Sequence, residues 1–224
     1  MKKLILPILF SLVVPTTFSC GSSRLVYNLN QVDAASALRQ MLEIGARESL
    51  TGAFSHDQVM TTLFPGELGK TLNSLQQLGL ITELDRFTNT VSSASEKSAE
   101  RSIPIFVRAI DNMSFTDAIR IIKDGGTSGT DYLKTATGSE IRTAIKPVVQ
   151  DALNEYKLNE QWDKIMKPAQ TATKNRINLD LSNLVAGLVT EKMYQKIAEK
   201  EIQIRSDASA RTTPLLQKVF SRSW

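Results

Sequence analysis

The chain of 224 residues contains one cysteine, Cys20, and one histidine, His56. A lone cysteine has no partner for an internal disulfide, so stability has to come from packing. One cysteine and one histidine also cannot furnish an ordinary zinc site. No DxDxDG-like loop of the kind that cages calcium occurs, which leaves only carboxylate-only arrangements for a hard cation. Aromatic residues make up 6% of the chain, and no Lys/Arg block is present. The basic, aromatic footprint of a nucleic-acid binder is therefore missing, and no nucleic-acid partner is expected. Strictly alternating apolar and polar runs bounded by turns are lacking as well, so no strand is expected. Nor is there an uninterrupted apolar run of the roughly 20 residues that span a bilayer as a helix.

What is present begins at the front end, MKKLILPILFSLVVPTTFSCGSS. Lys2 and Lys3 precede an apolar run of 15 residues, Leu4 to Phe18, interrupted by Pro7 and Pro15. A basic start, a short apolar stretch and then small residues are the pattern of an export signal. Residues 1–19 are thus expected to be a signal peptide outside the fold. Two cleavage schemes fit. In one, Cys20 carries a thioether-linked diacylglycerol and becomes the first residue, with Ser19 before it and the flexible Gly21, Ser22 and Ser23 after it. In the other, an ordinary signal peptidase cuts after Ser19 and leaves an unpaired thiol. The lipoprotein scheme is favoured, because a free thiol in an oxidising compartment has no use and its place just after the apolar run is otherwise a coincidence. It predicts a protein of the bacterial cell envelope, facing the periplasm or the exterior and held at a membrane by acyl chains.

Without Lys2 and Lys3 the chain has 25 basic against 23 acidic side chains, a net charge of +2. Residues 20–29 read as a tether, and residues 30–224 as a single helical domain. Asn30 with Asp33 three residues later is a helix start, followed by Ala34, Leu38, Met41, Leu42 and Gly45 at helical spacing. Residues 51–64 are a loop or short helix. Pro65 opens a stripe of Leu68, Leu72, Leu75 and Leu78. The stripe resumes with Leu84, Phe87, Val91 and Ala94, and the Ser-rich stretch after it reads as a solvated helical face. Pro104 marks a kink or a new start. Ser114 is read as the cap of the next helix, which Gly125 and Gly126 end. A short helix then stops at Gly138, and Ser139 caps another through Tyr156, with a kink at Pro147. Trp162, Ile165 and Met166 lie on a short helix before Pro168, and a polar loop runs from Thr171 to Asn178. Asp180 or Ser182 opens the last long helix, with Val189, Met193, Ile197 and Ile204 on one face. Thr213 caps a final turn begun by Pro214. The expectation is an all-α, multi-helix fold of about eight helices with no sheet.

The segments PIFVRAIDNMSFTDAIRII, GGTSGTDYLKTAT, IRTAIKPVV, VTEKMYQKIAEKEIQIR and ARTTPLLQKVF, in that order, resemble the bacterial family known as domain of unknown function 4197. The similarity extends more loosely to ALRQMLEIGARESL and LQQLGL. It implies an exported helical protein, often with a lipoprotein-type signal, and it supplies no activity and no catalytic residues.

Three stretches invite chemistry. GGTSGTDYLK looks like a phosphate loop, since a glycine-rich loop entering a helix presents N–H groups to an anion. Yet no Lys follows Gly129 and a helix precedes the loop, so a helix stop and a new helix cap is the better reading, with a weak anion site still open. Ser55-His56-Asp57 spells a hydrolase triad, but consecutive residues cannot stack in that relay. Tyr132, Arg142, Glu191 and Arg211 are candidates to converge on a polar cleft; the plainer reading is solvated charges and structural ion pairs. No catalytic residue, metal ligand or cofactor is assigned. The favoured function is non-catalytic binding of an envelope partner or small ligand. An enzyme with an unfamiliar carboxylate/arginine site and a carrier of a lipid or apolar ligand are the alternatives.

Overall fold

The computed structural model describes residues 28–64, 66, 81–172, 179–222 and 224. The expected signal peptide, Cys20, most of the expected tether and the stripe from Leu68 to Leu78 lie outside the described residues. Among the described residues there are eight α-helices and no strand. They are α1 (Gln31–Ala46), α2 (His56–Leu63), α3 (Ile81–Asn112), α4 (Ala118–Asp124), α5 (Ser128–Glu155), α6 (Leu158–Ala172), α7 (Leu181–Ser206) and α8 (Pro214–Phe220). No described helix is long and apolar enough to cross a membrane.

Helix α7 is the hub. Its buried residues come in adjacent pairs, such as Val185 and Ala186, Val189 and Thr190, Met193 and Tyr194. Such pairing widens the apolar stripe beyond that of a surface helix, and α7 packs on α1, α3 and α5. Its crossing with α1 is tight. A Cβ added to Gly45 would lie 2.8 Å from the Ile197 Cα, so only glycine lets the two backbones approach. The pairing of α5 with α7 is antiparallel: Gly129 meets Glu201, Gly138 meets Tyr194, Arg142 meets Gly187, and Lys146 meets Asp180.

Several helix starts follow their sequence signals. The Asn30, Ser55, Asp180 and Thr213 side chains each accept from an N–H three residues on. Asp180 is therefore the α7 cap, and Ser182 is buried inside the helix. The end of α4 at Gly125 and Gly126 is also as expected, with φ of 70° and 55°. The expected Ser114 cap is not formed. The start of α4 is instead held from α1: the Gln31 amide accepts from the Ile119 N–H at 3.4 Å and donates to the Phe115 and Thr116 carbonyls.

Three expected helix boundaries, at Pro104, Gly138 and residue 168, are absent, and the helix continues through Pro147 as expected. Helix α3 runs unbroken through Pro104, α5 through Gly138 and Pro147, and α6 past residue 168 to Ala172. An internal proline costs about 3 kcal/mol. Beyond Pro104, α3 buries Phe106 and Ile110; flanking Pro147, α5 buries Ile141, Ile145 and Val149. At about 1.5–3 kcal/mol per buried side chain, that packing outweighs the local penalty.

The Ser-rich stretch of α3 is not a solvated face. Ser95, Ser98 and Ser102 are fully buried beside Ala94 and Ala99. Each hydroxyl donates to the carbonyl four residues back, at 2.6–2.8 Å. With their polar atoms satisfied inside the helix, these small side chains act as a smooth surface for a neighbouring helix, and α3 packs on α5 and α7. Trp162 of α6 stacks between Phe64 and Phe87 and donates to the Leu179 carbonyl at 3.0 Å. The C-terminal segment docks on its own fold: Phe220 is buried and the Trp224 indole donates to the Val219 carbonyl.

Two glycine substitutions should have opposite effects on the thermal midpoint. Gly45→Ala overpacks the α1–α7 crossing against backbone and should cost about 1–3 kcal/mol. At Gly138 a Cβ meets only the Tyr194 hydroxyl, at 3.7 Å. Gly138→Ala should therefore stabilise by up to about 1 kcal/mol through helix propensity. A loss at Gly138 would contradict a helix continuous through that residue.

Candidate functional site

The four sequence candidates occupy three places. The Tyr132 hydroxyl donates to the Ser114 carbonyl at 2.7 Å and its ring packs against Phe115, which ties α5 to the turn before α4. Arg211 donates to the Ile204 and Arg205 carbonyls at 2.8 and 2.9 Å, closing the C-terminal end of α7. Both are structural ties. Arg142 and Glu191 alone come together, in a groove where α5 and α7 meet α2.

This groove has a volume of ≈ 580 Å³. Leu184, Gly187 and Leu188 form its apolar part, and Gln58, Thr61, Thr62 and Gln195 supply hydrogen-bonding groups. A second, more polar depression of ≈ 370 Å³ shares Gln58, Lys192 and Gln195 with it and extends to Glu199. Together they follow α7 for roughly 22 Å at 1.5 Å per residue. Gly187 shapes the apolar end. A Cβ there would lie 2.5 Å from the Arg142 Nη2, so the guanidinium rests in the notch that the missing side chain leaves.

The charges of the groove are unevenly neutralised. Glu191 accepts from Lys134 at 2.8 Å, and Asp57 lies 3.6 Å from the His56 Nδ1. Arg142 has only the Asn183 carbonyl, at 3.4 Å, and Lys192 only the Gln195 amide oxygen, at 3.2 Å, among the described residues. Neighbouring cations on the same two helices are paired with carboxylates: Lys146 with Asp180, Lys196 with Glu199, Lys200 with Glu48.

The Ser55-His56-Asp57 stretch forms no relay. The Ser55 hydroxyl caps α2, while both nitrogens of the His56 ring face carboxylates, with Asp85 at 3.2 Å from Nε2. Among the described residues no group of three or more His, Cys, Asp and Glu is placed to hold a metal ion.

The glycine-rich loop holds an anion, and the anion is the chain's own. Thr127 provides no side-chain cap to α5. Glu201, completely buried, accepts from the Gly129 N–H at 2.9 Å, the Thr130 N–H at 2.8 Å and the Thr130 hydroxyl at 2.7 Å. The positive end of the helix favours this carboxylate. Gly129 makes room here, since a Cβ would lie 3.0 Å from the Glu201 Oε1 and would push the carboxylate by a few tenths of an ångström. Arg205 completes the network, donating to Glu201 at 2.8 and 3.0 Å and to the Ile121 and Ile122 carbonyls and the Ser128 hydroxyl. The Phe220 ring covers its guanidinium at 5.3 Å. Sequence reasoning missed Glu201 because it sits in the charged run EKEIQIR. Its spacing from Met193, Ile197 and Ile204 was the available signal, since it places the carboxylate on the apolar face.

Two other groups are shifted by their surroundings. Burial pushes the Tyr194 phenol up, and its hydroxyl is a buried side-chain oxygen without a hydrogen-bond partner among the described residues. Burial, then hydrogen bonding with and repulsion from Asp111, raise the Glu43 carboxyl above its ordinary range against the opposing pull of Arg47 and Arg39.

Residues 28–221 match the family described as protein of unknown function (DUF4197), and the chain belongs to that family. No curated protein and no solved structure matches it.

The two shifted or buried carboxylates lead to opposite expectations. Glu201→Gln breaks a buried, fully bonded ion pair and should cost about 3–5 kcal/mol in urea unfolding; a loss below about 1 kcal/mol would remove Glu201 as the anchor of α5. Glu43→Gln should raise the thermal midpoint near neutral pH. A carboxyl raised in the folded state is harmless while protonated in both states, and it destabilises as pH rises through its folded pKa. The gain should therefore vanish below the ordinary carboxylate range. A gain that persists there would mean the effect is not electrostatic.

Proposed function

We propose that this chain is an exported, non-catalytic binding domain, tethered to a membrane of the bacterial envelope by acyl chains on Cys20. Residues 20–29 would serve as the tether and the helical fold as the binding module. The stretch TTFSCGSS supports the anchor, and two or three acyl chains hold a protein far more durably than one.

The groove along α7 carries the binding reading. It joins an apolar floor to two cations that no carboxylate among the described residues neutralises, a combination suited to recognition. The core, by contrast, is filled by large side chains such as Phe87, Phe106 and Leu133. The described depressions are surface features, which suits a binding module better than a carrier enclosing an apolar ligand.

The intact mass of the protein purified from its native membrane tests the anchor, beside that of Cys20→Ala. A mass equal to residues 20–224 plus acyl chains, lost in the variant, is expected. An unmodified chain beginning at or after Cys20 would overturn the anchored reading.

A further inference from the structure

The reading of the α2/α5/α7 groove as a binding site can be taken one step further, to the chemistry of its ligand. Along α5 and α7, Lys134, Lys146, Lys196 and Lys200 each meet a carboxylate. Arg142 and Lys192 depart from this pattern, and both line the same groove. Of its two carboxylates, Glu191 is held by Lys134 at 2.8 Å, which leaves the exposed Asp57 as the one carboxylate against these two cations. The charge left over in the groove is therefore positive.

The position of Arg142 is built. Its guanidinium sits across α7 only because residue 187 lacks a side chain, and its hydrogen bond to the Asn183 carbonyl is long, at 3.4 Å. A planar guanidinium held in a notch with free N–H groups matches the two oxygens of a carboxylate or phosphate. Directly beside it, Leu184 and Leu188 offer apolar surface that an inorganic anion would leave exposed. A volume of ≈ 580 Å³ accommodates a small molecule.

We propose that the groove binds a free amphiphilic anion: a carboxylate or phosphate monoester on a short aliphatic body, its acid group on Arg142 and Lys192 and its chain against Leu184 and Leu188. This rests on the groove being the binding site. Its test separates failure of the groove from failure of the charge assignment.

The experiment is an NMR titration of the isotopically labelled protein with octyl phosphate below its micellar concentration, with octyl glucoside as a neutral probe of equal chain length and inorganic phosphate as a control without the chain. Octyl phosphate should shift resonances of Gly187 and Leu188. Octyl glucoside and inorganic phosphate should each bind at least about tenfold more weakly, and Arg142→Gln should lose about tenfold in affinity for octyl phosphate. Because Arg142 is exposed, the variant should keep its thermal midpoint. Lys192→Gln provides a second, independent loss of affinity.

Equal binding of octyl glucoside in the groove would overturn the anionic assignment and leave the groove standing. Shifts confined to other helices, or no shift at all, would overturn both. Phosphatidylglycerol vesicles that sediment the wild-type chain and not Arg142→Gln would put the anion on a bilayer surface and overturn the free-ligand assignment.

Discussion

The carboxylate of Glu201 fixes where α5 begins. A helix start leaves N–H groups without partners, and burying them unpaired is costly. In α5 those groups are satisfied by a side chain more than 70 residues downstream. The bond is therefore a statement of tertiary structure: α5 can start at Ser128 only if α7 lies antiparallel beside it in one register. Arg205 adds the charge balance, the α4 carbonyls hold Arg205, and Phe220 of α8 shields it. Four elements thus depend on one carboxylate.

The register set there propagates along the helix pair. From Gly129 to Arg142 is 13 residues of α5, about 20 Å, and 14 residues of α7 separate Glu201 from Gly187. Arg142 arrives over Gly187 because the two helices keep step from the Glu201 anchor through the Gly138–Tyr194 contact. The notch at the groove and the buried anchor are two points of one interface. A slip of one residue at the anchor would rotate Arg142 by about 100° around α5 and empty the notch.

Much of the fold was legible because its signals are local. Asn30, Ser55, Asp180 and Thr213 are recognisable caps, and Gly125 and Gly126 stop a helix by their backbone freedom. The misreadings share one cause, which is that local signals carry less free energy than burial. Gly138 and Pro104 look like breaks in sequence, yet each lies in a helix whose far half is held by several buried side chains. The serines of α3 look solvated, yet their hydroxyls bond back to their own helix and leave a surface as smooth as alanine. The site was partly legible: Arg142 and Glu191 do share a groove. Tyr132 and Arg211 could not be separated from them, because the carbonyls that occupy them are set by chain reversal and not by spacing.

The fold contains two places where anion-binding groups are concentrated, and they differ in whether the chain answers them itself. At the α5 start, two N–H groups, a hydroxyl and a guanidinium converge on a buried carboxylate of the same chain. That place is chemically closed, although its GGTSGT sequence is the one that most resembles a ligand loop. At the groove, a guanidinium and an ammonium have only a carbonyl and an amide oxygen as hydrogen-bond partners among the described residues, on helices that neutralise their other lysines. A fold that satisfies a buried anion site so completely has no need of the exposed one for stability. The difference between the closed site and the open one, and not the glycine-rich motif, is what directs attention to Arg142 as the proposed binding end of this helix pair.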